Sequence, residues 1–125
     1  MTGEYDLSRF KTEMKKRTKV FAHNCVKSAV NLPSGILENH IKQQLIRCST
    51  SVAANYRASC IAQSVPSVVS KMSIAIEEAD ESEFWLEFAF EEHLFTAEEI
   101  QHLLNEAHEI TSILIKSRHT LQQKK

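Results

Sequence analysis

Apolar residues recur at intervals of three and four along almost the whole chain, the spacing of one face of an α-helix. Leu7, Phe10, Met14, Phe21, Cys25 and Leu32 share one such stripe, predicting a helix over about 7–31 that Asp6 can cap. Leu32-Pro33-Ser34-Gly35 stops it. A second helix is expected over about 36–63, with Ile41, Leu45, Cys48, Val52 and Tyr56 inward. Ser64-Val65-Pro66 breaks the pattern again, with proline suited to a first helical turn. The third, about 66–92, places Val68 or Val69, Met72, Ala75 or Ile76, Ala79, Leu86 and Phe90 on its inner face.

The fourth helix, about 97–121, opens at Thr96-Ala97-Glu98-Glu99, where Thr96 and Glu99 can satisfy each other's backbone N–H groups. Ile100, Leu103, Ala107, Ile110, Leu114 and Leu121 then repeat as an a/d seam. Short connections force successive helices antiparallel, so the expected fold is all-α: one up-down-up-down four-helix bundle spanning residues 1–125. Only two glycines and two prolines occur, too few for the turns of a sandwich or barrel. Only the tail Gln122-Gln123-Lys124-Lys125 reads as low-complexity.

The formal net charge of −1 conceals a division. Residues 1–76 hold eleven Lys/Arg against four Asp/Glu, a balance of +7, and residues 77–125 hold four against twelve, a balance of −8. Such asymmetry suits packing between copies or a basic face for a polyanion. Cys25, Cys48 and Cys60 lie in helical patterns without a CxxC spacing, as core-filling thiols in a reducing compartment do. The N-terminus lacks the apolar core of a signal peptide, and no apolar run approaches a membrane span of about 20 residues. A cytoplasmic protein that makes no use of a membrane is expected.

Two polar features stand beside the apolar stripes. Arg47, Ser51 and Asn55 form a line at i, i+4, i+8 on the second helix. The run Glu77-Glu78-Ala79-Asp80-Glu81-Ser82-Glu83 places Glu81 where it can meet the arginine or asparagine of that line, as a buried or half-buried network that fixes helix register. A di-iron site would need two Glu-x-x-His motifs, and only Glu99 to His102 occurs, so no metal and no cofactor is expected. GxSxG, P-loop and GxGxxG motifs are absent, and no catalytic residue is assigned. Lys11, Lys15 and Lys19 share a face of the first helix, with Lys16 and Arg17 beside it and Arg9 and Lys27 extending it. Closely spaced cations release counterions from a polyanion, so this face can track phosphates. No aromatic residue interleaves with the lysines for base stacking.

The stretch Gln44-Leu45-Ile46-Arg47-Cys48-Ser49-Thr50-Ser51-Val52-Ala53-Ala54-Asn55-Tyr56-Arg57-Ala58 resembles the signature of the four-helix bundle proteins encoded in intervening sequences of 23S rRNA genes. The accessory variability determinant of diversity-generating retroelements belongs to the same superfamily. Glu77 to Glu87 is similar to that family's helix-three motif, and Asn105-Glu106-Ala107-His108-Glu109-Ile110 continuing to Thr120 is similar to its last helix. The resemblance covers roughly residues 8–121. It implies an antiparallel bundle assembled as a homopentamer and no enzymatic activity. In the retroelement branch it implies binding of a reverse transcriptase and nucleic acid through a basic surface. Arg47, Ser51, Asn55 and Glu81 match the family's polar core positions, and Arg57 and Trp85 match one subgroup.

Related sequences often carry arginines where this one has Ile61 and Gln63. Ile61 would suit an apolar subunit contact, as would Phe84, Trp85 and Phe88, since the third helix has more apolar girth at 84–90 than one seam can bury. Two functions of different class follow. One is an oligomeric accessory protein that binds RNA or DNA through Lys11, Lys15, Lys16, Lys19 and Arg57. The other is a structural homo-oligomeric scaffold that binds a protein partner without nucleic acid.

Overall fold

A computed structural model describes the backbone of residues 2–123 and the side chains of residues 7–123. Four long helices fill it: α1 (Thr2–Val30), α2 (Ile36–Ile61), α3 (Val65–Glu91) and α4 (Ala97–Gln123). No strand occurs among the described residues. At about 1.5 Å per residue each helix is roughly 40 Å long. Each packs against its neighbours in sequence, and α4 closes the square onto α1 at the loosest of the four seams. The protein is an all-α four-helix bundle.

The helix ends follow from local chemistry. Ser64 accepts a hydrogen bond from the Ser67 backbone N–H at 3.2 Å, with Pro66 in the first turn of α3. Thr96 N donates to Glu99 Oε1 at 2.8 Å while Glu99 N donates to Thr96 Oγ1 at 3.2 Å, the reciprocal cap read from the sequence. Asp6 is not a cap: α1 already runs from Thr2, which makes Asp6 an internal helical position. α3 ends in a way its residues do not announce. His93 adopts a left-handed conformation at φ 64° while Leu94 N donates to Ala89 O at 2.9 Å and His93 N to Phe90 O at 3.0 Å. That is a Schellman stop, with histidine in the place glycine usually takes.

The inward faces of α2 and α4 are those expected: Ile41, Leu45, Cys48, Val52, Tyr56, Ile100, Leu103, Ala107, Ile110 and Leu114 are buried. At two expected positions the side chain turns outward. Phe90 is 40 % exposed because Leu86 and Ala89 take the inner face of α3 there, and Leu7 is 50 % exposed near the start of α1. Thr18, Ser49, Ser59 and Ser82 are buried, and each hydroxyl donates to a carbonyl of its preceding turn. Among the described residues no buried side-chain polar atom lacks a partner.

Candidate nucleic-acid interface

Along α1, positions 15, 19, 22, 23 and 26 return to one side of the helix, as do 50, 53, 54 and 57 along α2. Where the two sides meet lies an open groove of about 760 Å³. Lys15, Lys16 and Lys19 line it from α1 and Arg57 from α2, with His23 beside them. Its apolar surface is supplied by small side chains, Ala22, Ala53 and Ala54, together with Val26. No carboxylate lines it, and among the described residues none of these four cations makes an ion pair. Unneutralised charge over a concave, weakly polar surface focuses a positive potential outward.

The other cations of α1 are placed differently. Arg17 reaches α4, where it pairs with Glu106 at 2.7 Å and with Glu109. Arg9 pairs with Glu13 on its own helix at 3.5 Å. Lys11, expected on the phosphate-tracking face, instead lines a cavity at the end of the bundle with Leu7 and Phe10. A single sequence carries no signal for either outcome, because helical period fixes a face and not the partner across the seam.

The opposite pair of helices carries the opposite charge. Glu83, Glu87, His108 and Glu109 line a groove of about 560 Å³ between α3 and α4. His108 Nδ1 lies 3.6 Å from Glu83 Oε1. Burial, with Glu87 and Asp80 nearby, pushes the Glu83 carboxyl above its ordinary value against the pull of His108. A basic groove on α1 and α2 and an acidic groove on α3 and α4 thus occupy different helix pairs of the bundle.

A scan of family signatures matches the description "23S rRNA-intervening sequence protein" over residues 11–116. The chain belongs to that family. It is also similar to a solved protein of unknown function from the S23 ribosomal protein family of Bacteroides thetaiotaomicron. The two share 30 % identity with a TM-score of 0.76, over 87 % of this chain and 97 % of that one. No curated protein matches the chain. The matched span includes Lys15, Lys16, Lys19 and Arg57 but stops short of Leu121 and begins after Phe10.

Within this family member the polar line on α2 divides in two. Arg47 crosses to α3, pairing with Glu78 at 3.2 Å and Glu81 at 2.5 Å. Glu81 also accepts from the Trp85 indole N–H at 3.1 Å. Asn55 turns back on its own helix, donating to Ser51 O at 3.0 Å and Ser51 Oγ at 2.9 Å. The network is a surface one at its arginine end, since the Arg47 side chain is 48 % exposed. A long guanidinium at the edge of the stripe reaches its carboxylates without leaving water.

Trp85 anchors an aromatic group on the same side. Its ring lies 5.0 Å from Phe84, 5.9 Å from Phe88 and 5.2 Å from His40, all edge-on. Phe84 is half exposed and Ile61, at the far end of α2, is 78 % exposed. Among the described residues no three His, Cys, Asp or Glu converge as metal ligands, and Glu99 is held by its cap to Thr96. All three cysteines are free thiols. No helix among the described residues is long and apolar enough to cross a membrane.

Proposed function

We propose that this protein is a non-enzymatic, cytoplasmic accessory protein that associates with RNA or DNA along the α1/α2 groove. The observation that carries the reading is the convergence of Lys15, Lys16, Lys19 and Arg57 on one groove that no carboxylate lines. A family named for the intervening sequences of 23S rRNA supports a nucleic-acid setting. Lysines without interleaved aromatics contact phosphate rather than bases, so binding is indifferent to sequence and sensitive to salt. Titrating duplex RNA of arbitrary sequence at rising salt tests this. Binding that is strong at low ionic strength and falls steeply supports the groove as the interface, and no binding at low ionic strength removes it.

A homo-oligomer, a pentamer on the family resemblance, completes the proposal. The exposed Phe84 and Ile61, the Trp85 and Phe88 rings beside Phe84, and the opposed basic and acidic grooves all suit contact between copies. Light scattering in solution checks the mass against five times 14.3 kDa. The same apolar surface favours the second reading, a scaffold that binds a protein partner. Resemblance to the retroelement branch makes a reverse transcriptase the candidate for such a partner.

A further inference from the structure

The end of the bundle formed by the start of α1, the end of α2, the start of α3 and the end of α4 encloses a cavity of about 340 Å³. Every helix contributes an apolar wall: Leu7 and Phe10 from α1, Tyr56 from α2, Met72 from α3 and Leu121 from α4. Polar groups are few and lie at particular points. Lys11 follows Leu7 and Phe10 on the same face of α1, is only partly exposed, and makes no ion pair among the described residues. Ser117 and Thr120 line the cavity from α4. Such a site, apolar over most of its lining with a few convergent polar groups, is how small-molecule pockets are built. The nucleic-acid reading makes no use of it.

We infer that this cavity binds a single-chain fatty carboxylate, its alkyl chain among Leu7, Phe10, Met72 and Leu121 and its head group on Lys11. The size fits: at roughly 30 Å³ for each water-sized group, the space takes about eleven of them. One cation at an apolar wall selects an amphiphile with one negative charge over a neutral oil or a dianion. Burial and the neighbouring Cys60 raise the phenol of Tyr56, which lines the cavity, above its ordinary value.

Cys60 reports on occupancy. It lines the cavity and is partly exposed, whereas Cys25 and Cys48 are fully buried. Burial raises both of those thiols, Cys48 to about 11. A thiol reagent therefore reaches Cys60 first.

The experiment follows N-ethylmaleimide modification of Cys60 by intact mass as dodecanoate is added, at concentrations that leave the circular dichroism spectrum unchanged. Saturable slowing of about tenfold or more is expected, and Lys11→Met should weaken the dodecanoate response by about tenfold, the effect of losing one charge-assisted contact. Dodecanol should bind more weakly to the wild-type protein and be indifferent to Lys11→Met. Ser117→Phe, at the partly exposed edge, should fill the cavity and slow labelling without any fatty acid. Unprotected Cys60, or protection by dodecanoate that Lys11→Met leaves intact, overturns the inference. Loss of RNA binding in groove variants leaves this result unchanged, so the two proposals fail separately.

Discussion

Arg17 on α1 holds Glu106 on α4 through two parallel hydrogen bonds, Nε to Oε2 at 2.7 Å and Nη2 to Oε1 at 2.9 Å. Glu109, on the next turn, accepts from Nη2 as well. The clasp lies on the seam where helices pack least closely, so polar contact there supplements thin apolar contact. Arg17→Met leaves a carboxylate that is only 21 % exposed without its cation. Losing a fully buried partner costs about 3–5 kcal/mol. With the Arg17 side chain 32 % exposed, about 1–2 kcal/mol is expected. Urea denaturation measures it, and an unchanged midpoint would show that the seam stands without the clasp.

The same pair shapes the acid limb. Hydrogen bonding from Arg17 holds the Glu106 carboxyl below its ordinary value, and Arg47 does the same for Glu81. A carboxyl depressed in the folded state adds stability above its unfolded pKa and loses it as pH falls through the folded value. Stability should therefore be flat with respect to these groups above about pH 5.5 and decline from about pH 5 downward. Glu106→Gln should make that decline shallower. An equally steep limb in the variant would contradict the assignment.

Glu83 runs the other way. Burial raises its folded pKa, so it favours the fold below the unfolded value and disfavours it as pH rises through the folded one. Glu83→Gln removes that burden, and a gain of about 0.5–1 kcal/mol is expected at pH 7, vanishing near pH 4. Thermal melts at the two pH values test it. A loss of stability at pH 7 would mean that the His108 contact outweighs the burial.

His93 occupies a left-handed position at the end of α3, which disfavours a residue with a Cβ by about 1–2 kcal/mol. Its side chain is exposed, so His93→Gly removes little else. A gain of about 0.5–1 kcal/mol is expected after the added entropy of the unfolded glycine. A destabilised variant would show that the imidazole holds the turn.

Trp85 should report the protonation of Glu81, whose carboxylate takes its indole N–H. The indole proton resonance is expected to titrate with a midpoint below the ordinary carboxyl value of 4.5, and to stop titrating in Glu81→Gln. Stability should change by less than about 1 kcal/mol, since the Arg47 and Glu81 side chains are 48 % and 38 % exposed. A midpoint at or above 4.5 would break the link to Arg47.

The bundle was legible because its breakers are few and its stripes long. Leu32-Pro33-Ser34-Gly35 and Ser64-Val65-Pro66 mark two joints, and the seam from Ile100 to Leu114 is buried at every step. The third joint was legible from the Thr96 cap but not from His93, because nothing in histidine marks a left-handed residue. Period also told which face of α1 is polar without telling how that face divides. Arg17 leaves for α4 and Lys11 for the bundle end, choices set by how the helices are rotated about their axes. Rotation depends on packing across all four helices, which no single stripe encodes. The Arg47–Glu81 pair could be anticipated, since both lie beside their stripes on adjacent helices. Its exposure could not.

The groove between α1 and α2 is tested most directly by the salt dependence of RNA binding in wild type and in Lys15→Gln, Lys19→Gln and Arg57→Gln. Four phosphate contacts give a slope of about −3 to −4 in log affinity against log salt. Each single variant should flatten it by about 1 while leaving helical content unchanged. A wild-type slope near zero, or slopes that none of the three variants alters, would contradict the groove as the nucleic-acid interface.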